Sequence, residues 1–193
     1  MIQCYITDRS HLTPGETLLQ AIARNLAAGV NWIQIREKDL TARALFDLVA
    51  QASACVPAPR DAKIIVNSRV DVALAAGASG AHLPAGSPEP RIWHRIVPSN
   101  FLIGVSCHTV DEVRAAEQEG ASYAVFGPIF APLSKPSDLP PRGLDQLARA
   151  ASSVQIPVLA LGGITHANTA ACIAAGAAGI AGITLFSRPR TTG

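Results

Sequence analysis

Charge is scarce in this sequence. Asp, Glu, Lys and Arg make up 16% of its 193 residues, and sixteen basic against fourteen acidic side chains leave a formal net charge of +2. With no surplus of one sign, nothing draws the chain to a polyanion or a lipid surface, so neither a nucleic-acid nor a membrane partner is expected. Aromatic residues, at 5%, are too few to build a stacking platform for single-stranded bases. The cysteines Cys4, Cys55, Cys107 and Cys172 include no C-x-x-C pair and are irregularly spaced. That argues against a metal or disulfide framework and for reduced thiols. No run of eighteen apolar residues occurs, so no transmembrane helix is expected. Met1 leads directly into a strand-like run over 2–7, without a basic leader and apolar stretch, so a cytoplasmic location is expected.

Apolar residues, at 49%, are plentiful enough for a large core, and the length suits a single domain over 1–193. Four places read as a helix ending in glycine followed by a short apolar strand, at Gly29, Gly77, Gly120 and Gly176. Glycine just past a helix end accepts the left-handed backbone that closes it. Strands are expected near 2–7, 31–36, 63–67, 80–83, 102–106, 122–127, 157–161 and 179–184. Helices are expected over 15–28, 41–54, 69–77, 89–97, 110–119, 143–152 and 166–175. Strands apolar throughout suit burial on both faces of a parallel sheet. Eight strict βα alternations favour a (β/α)8 TIM barrel over a doubly wound open sheet. After strand eight only a short polar tail with two prolines remains, so the eighth helix is expected to be missing or vestigial. A bared barrel flank then predicts either a homodimer contact or marginal stability. The proline-rich connection 127–142 lies on the catalytic face and reads as a lid.

Barrel active sites form at the carboxyl ends of the strands. Strand two ends in Gln34-Ile35-Arg36-Glu37-Lys38, and alternation sends Gln34, Arg36 and Lys38 to one side. Two cations there need an anion, either a ligand phosphate or an internal partner in Glu37 or Asp8. Asn67 and Ser68 end strand three, with Ser68 suited to cap the following helix. Ser87 before Pro88 is expected to cap the helix after strand four. His82 reads as an interior histidine with a hydrogen-bond partner. Ser106 and His108 alternate toward one face as a conceivable nucleophile pair, and Thr109 with Glu112 forms a capping box. Gly162-Gly163 after strand seven, and Gly182 to Thr184 after strand eight, are where barrels bind phosphate through backbone amides.

The segments Gln34–Lys38, Val66-Asn67-Ser68-Arg69-Val70-Asp71-Val72-Ala73-Leu74, Ile103–Thr109, Gly127-Pro128-Ile129-Phe130 and Leu159–Ile164, in that order, resemble the thiamine phosphate synthase/TenI superfamily over nearly the whole chain. The resemblance implies a (β/α)8 barrel acting on small phosphorylated molecules. In the synthase branch it implies joining a pyrimidine diphosphate to a thiazole phosphate, with magnesium on the diphosphate. Pyrimidine and diphosphate contacts then fall on Gln34, Arg36, Lys38, Asn67, Ser106, Ser134 and Lys135, with chemistry carried by Lys135, Ser106, Arg36 and Lys38. Thiazole phosphate contacts fall on Gly162, Gly163, Gly182 and Thr184. Departures from that branch include Ala131-Pro132 where its Pro-Thr falls, and Ser68 and Ser87 stand where its magnesium-binding aspartates are expected, so magnesium is implied only if synthase activity is retained. Leu83-Pro84-Ala85-Gly86-Ser87 resembles the turn of the TenI branch, whose thiazole tautomerases need no such metal, although Pro128 stands where their histidine falls. The expectation is a TenI-like, thiazole-phosphate-binding protein, tautomerase-like or degenerate, with an active synthase as the alternative.

Overall fold

Runs of four to six mostly apolar residues pair in parallel as eight strands. They are β1 (Ile2–Ile6), β2 (Trp32–Ile35), β3 (Lys63–Asn67), β4 (Gly80–Leu83), β5 (Leu102–Cys107), β6 (Tyr123–Phe126), β7 (Val158–Leu161) and β8 (Gly179–Gly182). The computed structural model describes residues 1–58, 61–131 and 140–187. Each strand pairs with the next, and β1 pairs with β8, so the sheet closes into a barrel. The helices are α1 (Leu18–Ala27), α2 (Ala42–Ala54), α3 (Val70–Ala75), α4 (Pro90–Trp93), α5 (Val110–Gln118), α6 (Gly143–Ser152), α7 (His166–Ala174) and α8 (Thr184–Ser187). The expected (β/α)8 barrel is the fold observed.

Local signals explain the element ends. Thr17, Thr109 and Thr165 each close a capping box, with Gln20, Glu112 and Asn168 respectively, satisfying amide groups that the first helical turn leaves unpaired. Gly29, Gly77, Gly120 and Gly176 all have positive φ, as the repeat requires. Two expected caps are absent. Ser68 has φ of 63° and lies outside α3, whose N-cap Arg69 makes no side-chain cap bond. Helix α4 starts at Pro90 after Glu89, not at Pro88 after Ser87, and it spans one turn where nine residues were expected. The eighth helix is vestigial, as expected, with one turn among the described residues. That turn is tied down: Asn25 Nδ2 and Arg24 Nη1 donate to the Phe186 carbonyl, and Arg24 Nη2 to that of Ser187.

The period of two along each strand separates the core into two layers. Tyr5, Ile33, Ile35, Val66, Ala81 and Ile103 face the helices. Cys4, Ile6, Ile65, Tyr123, Val125, Leu159 and Ala181 fill the barrel. Gly104 makes room inside. A methyl group there would overlap the Tyr123 ring, so the missing side chain on β5 is what lets the phenol of β6 cross the barrel. Substituting Gly104→Ala is expected to destabilise the fold by about 1–3 kcal/mol through overpacking. Urea denaturation would measure this, and a Tyr123→Leu change in the same chain should return part of the loss.

Candidate active site

Alternation continues past the strand ends and builds the barrel mouth. A cavity of about 250 Å³ opens there, walled by Gln34, Arg36 and Lys38 from β2 and the loop after it, Asn67 from β3, His82 from β4 and Ser106 from β5, together with the apolar Ile6, Leu161 and Ile183. A neighbouring space of about 240 Å³ shares Lys38, Asn67 and Pro84 and adds Glu37, Ser68 and Arg69. Six side chains singled out from the sequence thus line one continuous region. Ser134 and Lys135, and with them the middle of the expected lid, lie outside the described residues.

The internal counter-charges proposed for Arg36 are taken elsewhere. Glu37, only 8% exposed, accepts from Thr7 Oγ1 at 2.7 Å and Arg9 Nε at 3.0 Å. Asp39 also goes to Arg9, and Asp8 is bound by Ser10 and His11. Thr7 Oγ1 in turn accepts from the Arg36 amide at 2.9 Å. Among the described residues no carboxylate pairs with the Arg36 guanidinium, which stands over the cavity beside Gln34. Gln34 is itself 2% exposed, and its Nε2 has no acceptor among the described residues. A buried donor without an acceptor costs on the order of 1–3 kcal/mol, so the wall is suited to a ligand that supplies one.

The conceivable nucleophile pair of Ser106 and His108 is not formed. His108 Nδ1 meets the Gly127 carbonyl at 2.6 Å, and Ser106 Oγ pairs with His82 Nε2 at 2.8 Å. The other His82 nitrogen, Nδ1, lies 3.2 Å from the Tyr123 hydroxyl. The interior reading of His82 therefore holds, and sequence reasoning missed Tyr123 and Thr7. A glycine inside an apolar strand, Gly104, was the available signal for the first. Nothing local marked the second. Burial, and then the charge of Arg36, lower His82 to about 4, keeping it neutral. Burial pushes the Cys107 thiol up to about 12, so it is no nucleophile at neutral pH.

Across the mouth, Gly162 and Gly163 have φ of 95° and 62°. A Cβ on Gly162 would lie 2.6 Å from Pro128 Cα, and one on Gly163 2.7 Å from Phe130 Cβ. Close approach of the 127–131 segment, bonded through Ile129 N to Leu161 O and Phe130 N to Gly162 O, is thus reason enough for both glycines. The Gly163 carbonyl accepts from Asn168 Nδ2 at 2.9 Å, which ties the turn to α7. Gly182 and Thr184 stand on the adjacent turn leading into α8.

Known proteins share both the sequence pattern and the fold of this chain. The family model described as thiamine monophosphate synthase matches residues 3–186. This chain belongs to the thiamine monophosphate synthase family. The thiamine-phosphate synthase of Roseiflexus sp. is 42% identical, covering 91% of this chain and 74% of that protein. A Geobacter sulfurreducens relative, 44% identical over 91% of this chain and 82% of its own length, carries the same name provisionally. The solved thiamine phosphate pyrophosphorylase of Pyrococcus furiosus superposes with a TM-score of 0.86 at 30% identity, covering 97% of this chain and 88% of that one.

For a family whose synthase branch is expected to place magnesium on the diphosphate, the residues here do not fit a carboxylate-held ion. Ser68 Oγ accepts from Asn67 Nδ2 at 2.8 Å. The carboxylates next in sequence are occupied, Asp71 by Arg69 and Glu89 by Arg91. Among the described residues no three of His, Cys, Asp and Glu gather as a metal site. Neutral hydroxyls replace anionic ligands poorly for magnesium. Among the described residues no helix is long and apolar enough to cross a membrane.

His82 gives the fold a measurable acid limit. Its folded value lies below the ordinary imidazole value of 6.5, so the unfolded chain binds the extra proton first. Its contribution is intact above pH 6.5 and is lost as pH falls toward 4, at about 1.4 kcal/mol per pH unit and about 3 kcal/mol in all. Guanidinium melts at pH 7.5 and 4.5 should show that loss, and a His82→Gln chain should show a correspondingly shallower acid dependence.

Proposed function

We propose that this chain is a thiamine-phosphate synthase, joining a pyrimidine diphosphate to a thiazole phosphate with release of diphosphate. The observation that carries the reading is Arg36, set at the cavity beside Lys38 while Glu37, Asp39 and Asp8 are bound by other side chains of the protein. The synthase form of the segment Gly127-Pro128-Ile129-Phe130 and the names of the relatives support it. The TenI-like reading drawn first from the sequence finds less support, because those names are synthase names and Pro128 removes the histidine a tautomerase needs. One observation still favours it: the serines at 68 and 87 leave the mouth without the carboxylates of the synthase branch.

The chemistry asks little covalent work of the protein. The bond from the pyrimidine's methylene carbon to the diphosphate oxygen breaks with its electrons going to the diphosphate, and the thiazole nitrogen's lone pair closes the new bond. Arg36 and Lys38 neutralise the leaving group in a partly desolvated site, where fixed charges act strongly. Gln34 and Ser106 hold the pyrimidine. The Gly163 and Ile164 amides, with the turn at Thr184, receive the thiazole phosphate. No step is assigned to magnesium.

Incubation with both substrates should yield thiamine phosphate, measured by fluorescence after oxidation to the thiochrome. Arg36→Gln should lower the rate by about a hundredfold, the usual scale for removing one charge-stabilising donor. Ser68→Asp with Ser87→Asp should raise it at least several-fold in magnesium. If neither chain forms product, yet thiazole phosphate at a hundred times its Kd still stabilises the fold by about 2.7 kcal/mol, the TenI-like or binding reading replaces this one.

A further inference from the structure

We infer that a hydrogen-bond relay running from Tyr123 through His82 fixes Ser106 as a donor to the barrel-mouth cavity, so that the ligand atom lodged against Ser106 is an unprotonated acceptor such as a heterocyclic ring nitrogen. Tyr123 and His82 are positioning residues in this scheme. The argument starts at the buried end. The Tyr123 side chain is 0% exposed, with the edge of Trp32 packed on it at 4.8 Å between centroids and Gly104 beneath its ring. Among the described residues His82 Nδ1, at 3.2 Å, is the hydroxyl's hydrogen-bond partner. If the phenol accepted a bond from Nδ1–H, its own hydrogen would be left without an acceptor in an apolar setting. An unmade donor costs more there than an unused lone pair. The phenol therefore donates, and Nδ1 is the acceptor.

A neutral imidazole carries one proton, so it sits on Nε2 and is donated to Ser106 Oγ, 2.8 Å away. Neutrality follows from burial and from the nearby Arg36, both of which disfavour a second proton. With one lone pair of its oxygen engaged, Ser106 has its hydroxyl hydrogen to place. It has no acceptor for it among the described residues, and it faces the cavity. The relay thus converts a hydroxyl that could donate or accept into one that donates. Gln34, whose Nε2 also lacks an acceptor, lines the same cavity. The tautomer stands on the chain alone, and the identification of the acceptor as a ring nitrogen rests on the function proposed above.

Nitrogen-15 NMR of the histidine rings tests the relay directly, with the His82 signals assigned by their loss in His82→Gln. The expected result at neutral pH is a neutral ring protonated on Nε2, shifting to a mixture of tautomers in Tyr123→Phe. A ring protonated on Nδ1, or on both nitrogens, in the unmodified protein overturns the proposal. Binding of hydroxymethylpyrimidine diphosphate gives the second readout. Tyr123→Phe and Ser106→Ala should each weaken it about tenfold, the scale of one hydrogen bond, and the double variant should be no weaker than Ser106→Ala. Additive losses would mean that Tyr123 acts only through packing and would overturn the coupling. If the unmodified protein does not bind this compound, the proposed function fails, and the ring-nitrogen result alone decides the relay.

Discussion

Glu37 lies between Arg36 and Lys38 in sequence, and where it turns decides the electrostatics of the barrel mouth. An ion pair at 4 Å is worth on the order of 4 kcal/mol near a protein surface. Had Glu37 turned to Arg36, any anionic ligand would have had to displace it. Instead the strand alternation that sends Arg36 inward sends Glu37 outward, where Thr7 and Arg9 of the neighbouring β1 loop bind it. Arg9 also collects Asp39. One arginine on the first loop thereby gathers two carboxylates that would otherwise compete for Arg36. The Thr7 hydroxyl contributes twice, donating to Glu37 and accepting the Arg36 amide, so the direction of the Arg36 backbone is set by the same cluster that removes its counter-charge.

Barrel closure imposes the other constraint. Half of every strand points into a space that eight strands fill completely, so a polar residue there must find its partner across the sheet or from a ligand. His82 finds Ser106 and Tyr123, and Gly104 is the residue whose small size admits the third member. The floor of the cavity is consequently ordered from below by packing, while its rim is ordered from the side by the Thr7 cluster. The two supports are independent, and each acts on different atoms of the same pocket.

Elements were readable in the sequence wherever the signal was local. The glycine-terminated helices, the Thr109–Glu112 capping box and the apolar strands each rest on contacts within a few residues, and the barrel follows from their count and order. Ser68 and Ser87 were misread for a reason equally physical. A serine before a helix suits a cap only if its backbone is extended, and Ser68 lies in the left-handed region with its hydroxyl turned to Asn67. The partner of Ser106 was not legible because proximity along one strand is easier to read than register between strands. His82 pairs with Gly104, two residues before Ser106 and on the same face. A pairing of that kind exists only after the sheet closes.

Membership of the family constrains what the departures at 68 and 87 can mean. Arg36, Lys38 and Gln34 still line the mouth, so on the proposed function the loss of two carboxylates does not by itself dissolve an anion site. It makes the site more positive. Two negative charges fewer beside Arg36 and Lys38 strengthen their hold on a bound diphosphate, but they also remove the means of holding a metal that would follow the charge as it moves to the leaving group. Tight binding of the ground state without matching stabilisation of the departing anion lowers the substrate concentration needed and leaves the rate unimproved. On that argument the serines should show themselves first in the turnover rate and only afterwards in affinity. Under the proposed function, this charge arrangement would favour binding of the phosphorylated substrates over their turnover.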